Sequence, residues 1–259
     1  MFNLNTFKKN GYIICKSITP EVLNNLRLTL FDMLQTSYKK HLGVLSSFEK
    51  FSIDEVNRIF IELENEDHSH ITKIFDNIRN TDAFYKLVNN ELHIDYCKKL
   101  LSVKNKSSVF LNSLSLRMDP PNSIKFSYGW HRDADVNVDK SEFIQAWIPL
   151  VDIDETLGGL EIIKNSHVNE FKTEHTDYVK NAVKKGKKKS DPIVYRLPHD
   201  TKIITPGAEE LTLTANFGET IFFSNKLMHR SGLNYTNNKV RFAITAFYHR
   251  SDILESDWF

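Results

Sequence analysis

The spacing of apolar residues changes partway along the chain. Val22, Leu23, Leu26, Leu30, Met33 and Leu34 recur at intervals of three and four, the repeat of a helix with one buried face. Thr19-Pro20-Glu21 precedes them, an N-cap residue type followed by proline at the first helical position. A helix is therefore predicted over 20–38. The same repeat predicts helices over roughly 52–64, 68–79, 82–89 and 91–102. Gly11 to Cys15 is a short apolar run with the character of a strand.

Beyond Lys106 the period becomes two. Val109, Leu111, Ser113, Ser115 and Arg117 alternate with Phe110, Asn112, Leu114 and Leu116, and Pro120-Pro121 ends the run. Strand-like runs follow at 143–151, 160–163, 201–204, 211–215, 219–223 and 240–248. Gly158-Gly159, Pro206-Gly207, Gly218 and Tyr235-Thr236-Asn237-Asn238 mark turns between them. Many short strands with no helices between them point to a sandwich or jelly roll, not a parallel sheet. A single domain over 1–259 is expected, with a helical support region at 1–106 and a β core at 107–250.

Composition narrows the partners. Of 259 residues, 41% are hydrophobic and 12% aromatic, enough for a substantial core. Lys and Arg (34) nearly balance Asp and Glu (33), a net charge of +1. Nothing in that balance argues for nucleic acid or a membrane surface. Cys15 and Cys97 have no CxxC spacing and read as small buried reduced thiols. The opening residues lack the apolar stretch of a signal peptide, so the cytoplasm is the expected location. The oligomeric state has no signature. Val179 to Ser190 is polar and basic, with six lysines from Lys180 to Lys189. It reads most simply as a solvated loop. As part of an insertion at 169–200 it is also expected to act as a lid that orders on substrate, and its lysines suit an anionic substrate.

Candidate chemistry lies in the β half. A mononuclear iron oxygenase needs two imidazoles and one carboxylate on one face of the metal, leaving positions for co-substrate and oxygen. In a strand, residues i and i+2 share a face, so His-x-Asp offers two ligands from one element. The motif occurs at His93/Asp95, His131/Asp133 and His175/Asp177. The first lies in a helical pattern, where the two side chains diverge by about 200°, and reads as a helix-start or surface pair. The second of that series follows Phe126-Ser-Tyr-Gly-Trp130 at the start of the β half, where an open site can be built. The last lies in a polar stretch without strand periodicity. His229 follows the buried-looking run after Gly218 and offers a third ligand. Arg241 opens the apolar run 240–248, and a buried guanidinium demands an anion. The C5 carboxylate of 2-oxoglutarate suits it.

These residues resemble the phytanoyl-CoA dioxygenase family of iron(II)/2-oxoglutarate oxygenases. The resemblance covers nearly the whole chain: Asn10-Gly11-Tyr12 through Pro20-Glu21, Trp130-His131-Arg132-Asp133, Gln145-Ala-Trp147-Ile-Pro-Leu150, Gly158 to His167, and Gly218 to Asn234. It implies a double-stranded β-helix (jelly roll, cupin-like) with the helical half packed on it. It further implies iron(II) held by His131, Asp133 and His229, with 2-oxoglutarate and molecular oxygen as co-substrates. Ser231 and Arg241 would hold the distal carboxylate of 2-oxoglutarate, and Trp147 would lie beside it or in the core. The implied reaction couples decarboxylation to succinate with hydroxylation of an unactivated carbon of a small molecule. With Asp133 in the carboxylate position, halogenation is not expected. Tyr128 and Trp130 either wall the substrate pocket or pack the sheet, and Arg117 either contacts co-substrate or substrate or forms a surface ion pair. His167 reads as structural. A non-catalytic jelly-roll binding or interaction protein is the alternative reading.

Overall fold

A computed structural model describes residues 2–43, 52–103, 109–124, 127–136, 142–174 and 201–250. Its helical layer comprises α1 (Leu4–Asn10), α2 (Pro20–His41), α3 (Ile53–Glu66), α4 (His68–Ile78), α5 (Asp82–Val88) and α6 (Glu91–Leu100), with β1 (Tyr12–Cys15) after α1. Short polar side chains set most of the starts by taking an otherwise unsatisfied N–H. Ser52 accepts from Glu55, Asp67 from Ser69, Thr81 from Phe84 and Asn90 from His93. Thr19 does stand at the N-cap of α2, yet its side chain makes no capping bond; Pro20 supplies the start by its preset φ. α1 was not expected, because seven residues are too few to display a period. Asn3 caps it through Asn5 and Thr6, and Gly11 ends it at φ 77°.

The remaining elements are β2 (Val109–Asp119), α7 (Asp133–Val136), β3 (Phe143–Pro149), β4 (Leu160–Ile163), β5 (Thr173–Glu174), β6 (Lys202–Ile203), β7 (Glu210–Leu213), β8 (Thr220–Ser224), β9 (His229–Ser231) and β10 (Arg241–Arg250). Two antiparallel sheets form the jelly roll. The larger has the order β1-β8-β3-β10-β2 and the smaller β7-β4-β9. β5 pairs with β6, so Thr173 stands beside Ile203 and the two ends of the expected lid meet. Residues 175–200, which carry the lysine-rich stretch and His175/Asp177, lie outside the described residues. Among the described residues, no helix is long and apolar enough to cross a membrane.

Strand alternation sorts the larger sheet into two surfaces. On β10, Phe242, Ile244, Ala246 and Tyr248 are fully buried and face the helices. Phe242 meets Phe31 of α2 and Phe60 of α3 edge-on, and the Tyr248 hydroxyl donates to Val88 O at the end of α5. Each such aromatic stabilises the fold by about 1.5–3 kcal/mol through burial. The intervening residues face the gap between the sheets. There Thr245 stands between Ser115 and Trp147, and Phe247 between Ser113 and Gln145. One period therefore builds both the helix contact and the wall of a cavity.

His93 and Asp95 stand at the start of α6, as the helix-start reading has it, but His93 is not on the surface. Its imidazole is fully buried, 5.0 Å from the Phe222 ring and 5.1 Å from Tyr248, while Asp95 pairs with Lys99 outside. The Ser17 hydroxyl donates to Thr220 Oγ1, so it accepts from His93 Nδ1 at 2.9 Å. Burial pushes this imidazole down to about 3. The unfolded chain protonates the same group near its ordinary value, roughly 6.5. Above that pH the titration of His93 adds no pH dependence to stability. As pH falls toward 3, the unfolded state binds a proton that the folded state excludes, at about 1.4 kcal/mol per pH unit. His93→Gln is therefore expected to flatten the fall of Tm between pH 7 and 5. Parallel slopes for variant and wild type would remove His93 from the acid response.

Candidate metal centre

Two backbone hydrogen bonds bring the first and second imidazoles together. His131 and His229 form an isolated antiparallel bridge, N to O 3.0 Å one way and 2.9 Å the other. Residues opposite each other in such a bridge project to the same side, and the ring centroids are 4.3 Å apart. Asp133 arrives differently from the expected strand face. It is the first residue of the short helix α7, whose Ala134 N–H donates to Asn225 O at 2.9 Å, just past β8. That turn swings the carboxylate back, with Oδ1 3.6 Å from His131 Nε2 and Oδ2 3.9 Å from His229 Nε2. Among the described residues this is the group of three suited to a metal ion, its ligand atoms all within 4.8 Å of one another.

The rings are preset for coordination through Nε2. His131 Nδ1 lies 2.7 Å from Gly129 O and His229 Nδ1 2.9 Å from Leu227 O. A carbonyl only accepts, so each Nδ1 carries the proton and each Nε2 keeps its lone pair. Burial and the neighbouring His131 push the His229 imidazole down to about 4, against the opposing pull of Asp133 and Leu227 O. It is thus neutral at pH 7, as a metal ligand must be.

The triad opens into a cavity of about 230 Å³ between the sheets. Trp147, Tyr128, Ser231, Arg117 and Arg241 all line it, as do Gln145, Ser113, Ser115, Thr245 and Phe247, which the sequence reading did not single out as site residues. Counting in twos from Arg117 and from Arg241 would have found most of them. Ser231 Oγ accepts from Tyr128 N at 3.4 Å, and the Tyr128 ring is 5.9 Å from His131. Trp130 goes elsewhere. It is buried with Ile163 and Met228 beneath Arg230, whose guanidinium sits 4.5 Å above its ring, and it is not part of the cavity wall. His167 is structural, packed against Gly11 with Nε2 at Lys8 O.

The anion sought for Arg241 turns out to stand in the chain itself. Asp119 is directly opposite Arg241 on the neighbouring strand. Its Oδ2 accepts from Arg241 Nε at 3.0 Å and Nη2 at 2.9 Å. Arg241 Nη1 donates to the carbonyls of Gly158 and Gly232. Glycine is required at both: a Cβ on Gly158 would lie 2.8 Å from Nη1, and one on Gly232 would collide with Gly159 O. Arg117, two residues before Asp119, donates to Oδ1 of the same carboxylate at 2.9 Å. Burial raises the Asp119 carboxyl, but Arg117 and Arg241 outweigh it and hold the group below its ordinary value. Arg117 is thus no surface ion pair.

The molecule's likeness to known proteins follows its fold. No curated protein matches the chain. Among solved structures, AviO1 from Streptomyces viridochromogenes Tue57 is 14% identical with a TM-score of 0.54, covering 95% of this chain and 92% of its own. SnoN, a non-haem α-ketoglutarate-dependent epimerase from nogalamycin biosynthesis, is 14% identical at TM-score 0.56, with 95% and 81% covered. A second structure of SnoN holds Fe3+, α-ketoglutarate and nogalamycin RO. SnoK, a carbocyclase of the same biosynthesis, is 13% identical at TM-score 0.58, with 95% and 82% covered. The family model described as phytanoyl-CoA dioxygenase matches residues 7–243, and with that match over nearly the whole length the chain belongs to the phytanoyl-CoA dioxygenase family.

Proposed function

We propose that this protein is an iron(II)- and 2-oxoglutarate-dependent oxygenase that oxidises an unactivated carbon of a small molecule. The observation that carries the reading is one cavity lined by two kinds of group. In it, two imidazole Nε2 atoms and a carboxylate converge with both imidazoles already in the ligating tautomer. The same cavity is lined by the guanidinium residues Arg117 and Arg241, held by Asp119. The donor set fits iron(II): two nitrogens and one oxygen leave coordination positions open. When bound, iron would supply oxygen activation coupled to decarboxylation of the 2-oxo acid.

The chain's own residues then have distinct tasks. His131, Asp133 and His229 hold the metal, while Gly129 O and Leu227 O keep the rings turned toward it. Ser231 and Arg241 stand where a distal carboxylate can be taken, with the Trp147 face alongside. The Tyr128 ring spans the distance between Arg117 and His131. Ser113, Ser115, Gln145 and Thr245 give the rest of the wall a neutral, hydrogen-bonding character. That favours a substrate whose reacting part is uncharged; the lysines that suited an anion lie outside the described residues. Hydroxylation is the expected outcome, although SnoN, an epimerase, and SnoK, a carbocyclase, share this fold. Asp133 in the carboxylate position argues against halogenation.

Purified protein supplied with iron(II), ascorbate and 2-oxoglutarate is expected to form succinate. A screen of small metabolites should raise that rate when the substrate is present. Complete absence of iron-dependent succinate across the screen would overturn the reading.

A further inference from the structure

Gln145 stands in the cavity wall with an incomplete set of partners. It lies on β3 and is only 7% exposed, and its amide oxygen Oε1 has no hydrogen bond among the described residues. Its neighbours on the same face of the sheet explain why. Phe143 and Trp147 are two positions away on either side along β3, while Phe247 of β10 and Phe223 of β8 stand directly opposite it. Three phenyl rings offer an amide oxygen no donor, and the indole N–H of Trp147 makes no bond with it. A buried carbonyl without a donor is costly, so native chains keep such groups few. Leucine or methionine would fill the same box of rings without that cost. Packing alone does not account for glutamine here.

Its position supplies a reason. Phe223, opposite Gln145, meets the His229 ring edge-on with centroids 4.8 Å apart, so one phenyl ring separates the amide from a candidate metal ligand. Phe247, beside Gln145, is six residues along β10 from Arg241, roughly 20 Å at about 3.4 Å per residue. A co-substrate with its distal carboxylate at Arg241 leaves this part of the wall to a second molecule. The terminal torsion of a glutamine is soft, so the amide can turn either end into the cavity. We propose that Gln145 is a specificity-determining residue, whose amide oxygen accepts a hydrogen bond from a hydroxyl or amide N–H of an uncharged substrate held against Phe247. An anionic carboxylate has no proton to give this oxygen and is not selected by it. A site whose polar group stays unpaired unless the substrate completes it rejects an analogue lacking that group far more strongly than an apolar wall does. The proposal rests on the oxygenase reading above and names the substrate chemistry that the site selects: a neutral hydrogen-bond donor on an apolar frame.

Two measurements test it, and the first needs no substrate. In thermal melts of the metal-free full chain, Gln145→Met is expected to melt no lower than wild type and up to about 2–4 °C higher, because the chain gives the amide oxygen no partner to lose. A fall of more than about 4 °C in both Gln145→Met and Gln145→Leu would show that the amide is bonded within the chain, and would overturn the proposal. The second measures iron-dependent succinate formation from 2-oxoglutarate with matched probes, a series of cyclic alcohols and diols, each beside its O-methyl ether. The alcohol that stimulates wild type most should exceed its ether by about 10–100-fold in kcat/KM. In Gln145→Met that gap should largely close, and Gln145→Glu, which keeps an acceptor oxygen in the same shape, should retain part of it. An undiminished gap in Gln145→Met, or equal use of alcohol and ether by wild type, leaves Gln145 a mere wall residue. Wild type that turns over 2-oxoglutarate but responds to no alcohol in the series shows the selected class to be wrong. Wild type that forms no succinate under any condition fails at the oxygenase reading instead.

Discussion

Asp133→Ala protein should lose its metal site almost completely. The two imidazoles remain bridged by the backbone at His131 and His229, so the variant keeps two neutral nitrogen donors. What disappears is the charged ligand, and with it the facial set of three. Loss of a mere supporting group behind a ligand costs roughly 10–100-fold in metal affinity, and loss of the carboxylate should exceed that. The carboxylate makes no tight hydrogen bond with either histidine, since both nitrogens are 3.6 Å or more away. Neither histidine therefore loses a close hydrogen bond in the variant. Thermal melts with and without iron(II) separate the effects: wild type should gain stability on adding metal, as any ligand of the native state confers, and the variant should not. A metal-induced rise of equal size in Asp133→Ala would move the third ligand to another residue. His131→Ala and His229→Ala should behave alike. At pH 7 wild-type affinity should vary little with small pH changes through His229, whose imidazole titrates near 4.

Asp119→Ala should be among the most destabilising single changes in the β core. It strips two largely buried guanidiniums of their common partner, and breaking a buried ion pair from one side costs about 3–5 kcal/mol. For a chain of this length, that corresponds to a loss of roughly 10 °C in Tm. The size of the loss comes from the charges left behind, not from the contacts removed. Asp119→Ala combined with Arg241→Met should therefore recover a large part of it, because the apolar replacement no longer needs an anion. Denaturant melts of the single and double variants measure this. A single variant as stable as wild type would show that the arginines are balanced by something other than Asp119.

The local periods along the chain were enough to read most of the architecture. Five helices and the strands through 109–119, 160–163 and 240–248 could be placed because apolar spacing reports which face of an element is buried, and that is a property of neighbours in sequence. The three candidate metal ligands were legible for a related reason. His131 and Asp133 are two residues apart, and His229 stands at the end of a buried run, so position along the chain already limited the choices. The family resemblance carried the rest of that selection.

Other features depended on which strand lies beside which. Arg241 visibly needed an anion, but Asp119 is 122 positions away in sequence. Only the register of β10 on β2 makes them opposite neighbours. Trp130 and His131 are adjacent, yet successive positions of an extended chain project to opposite sides, so one enters a packed cluster and the other the cavity. Asp133 reaches the site by a helical turn instead of a strand face, because the Asn225 carbonyl captures the following N–H. His93 could be read as half of a helix-start or surface pair, and only the fold shows the Ser17 hydroxyl and the Phe222 and Tyr248 rings enclosing it from a loop and two strands. The sequence by itself determined most of the elements and their buried faces, and with the resemblance it singled out the three candidate metal donors that the fold brings together. Their charge partners and final orientations were decided only by the tertiary structure, since both arise from contacts between residues far apart along the chain.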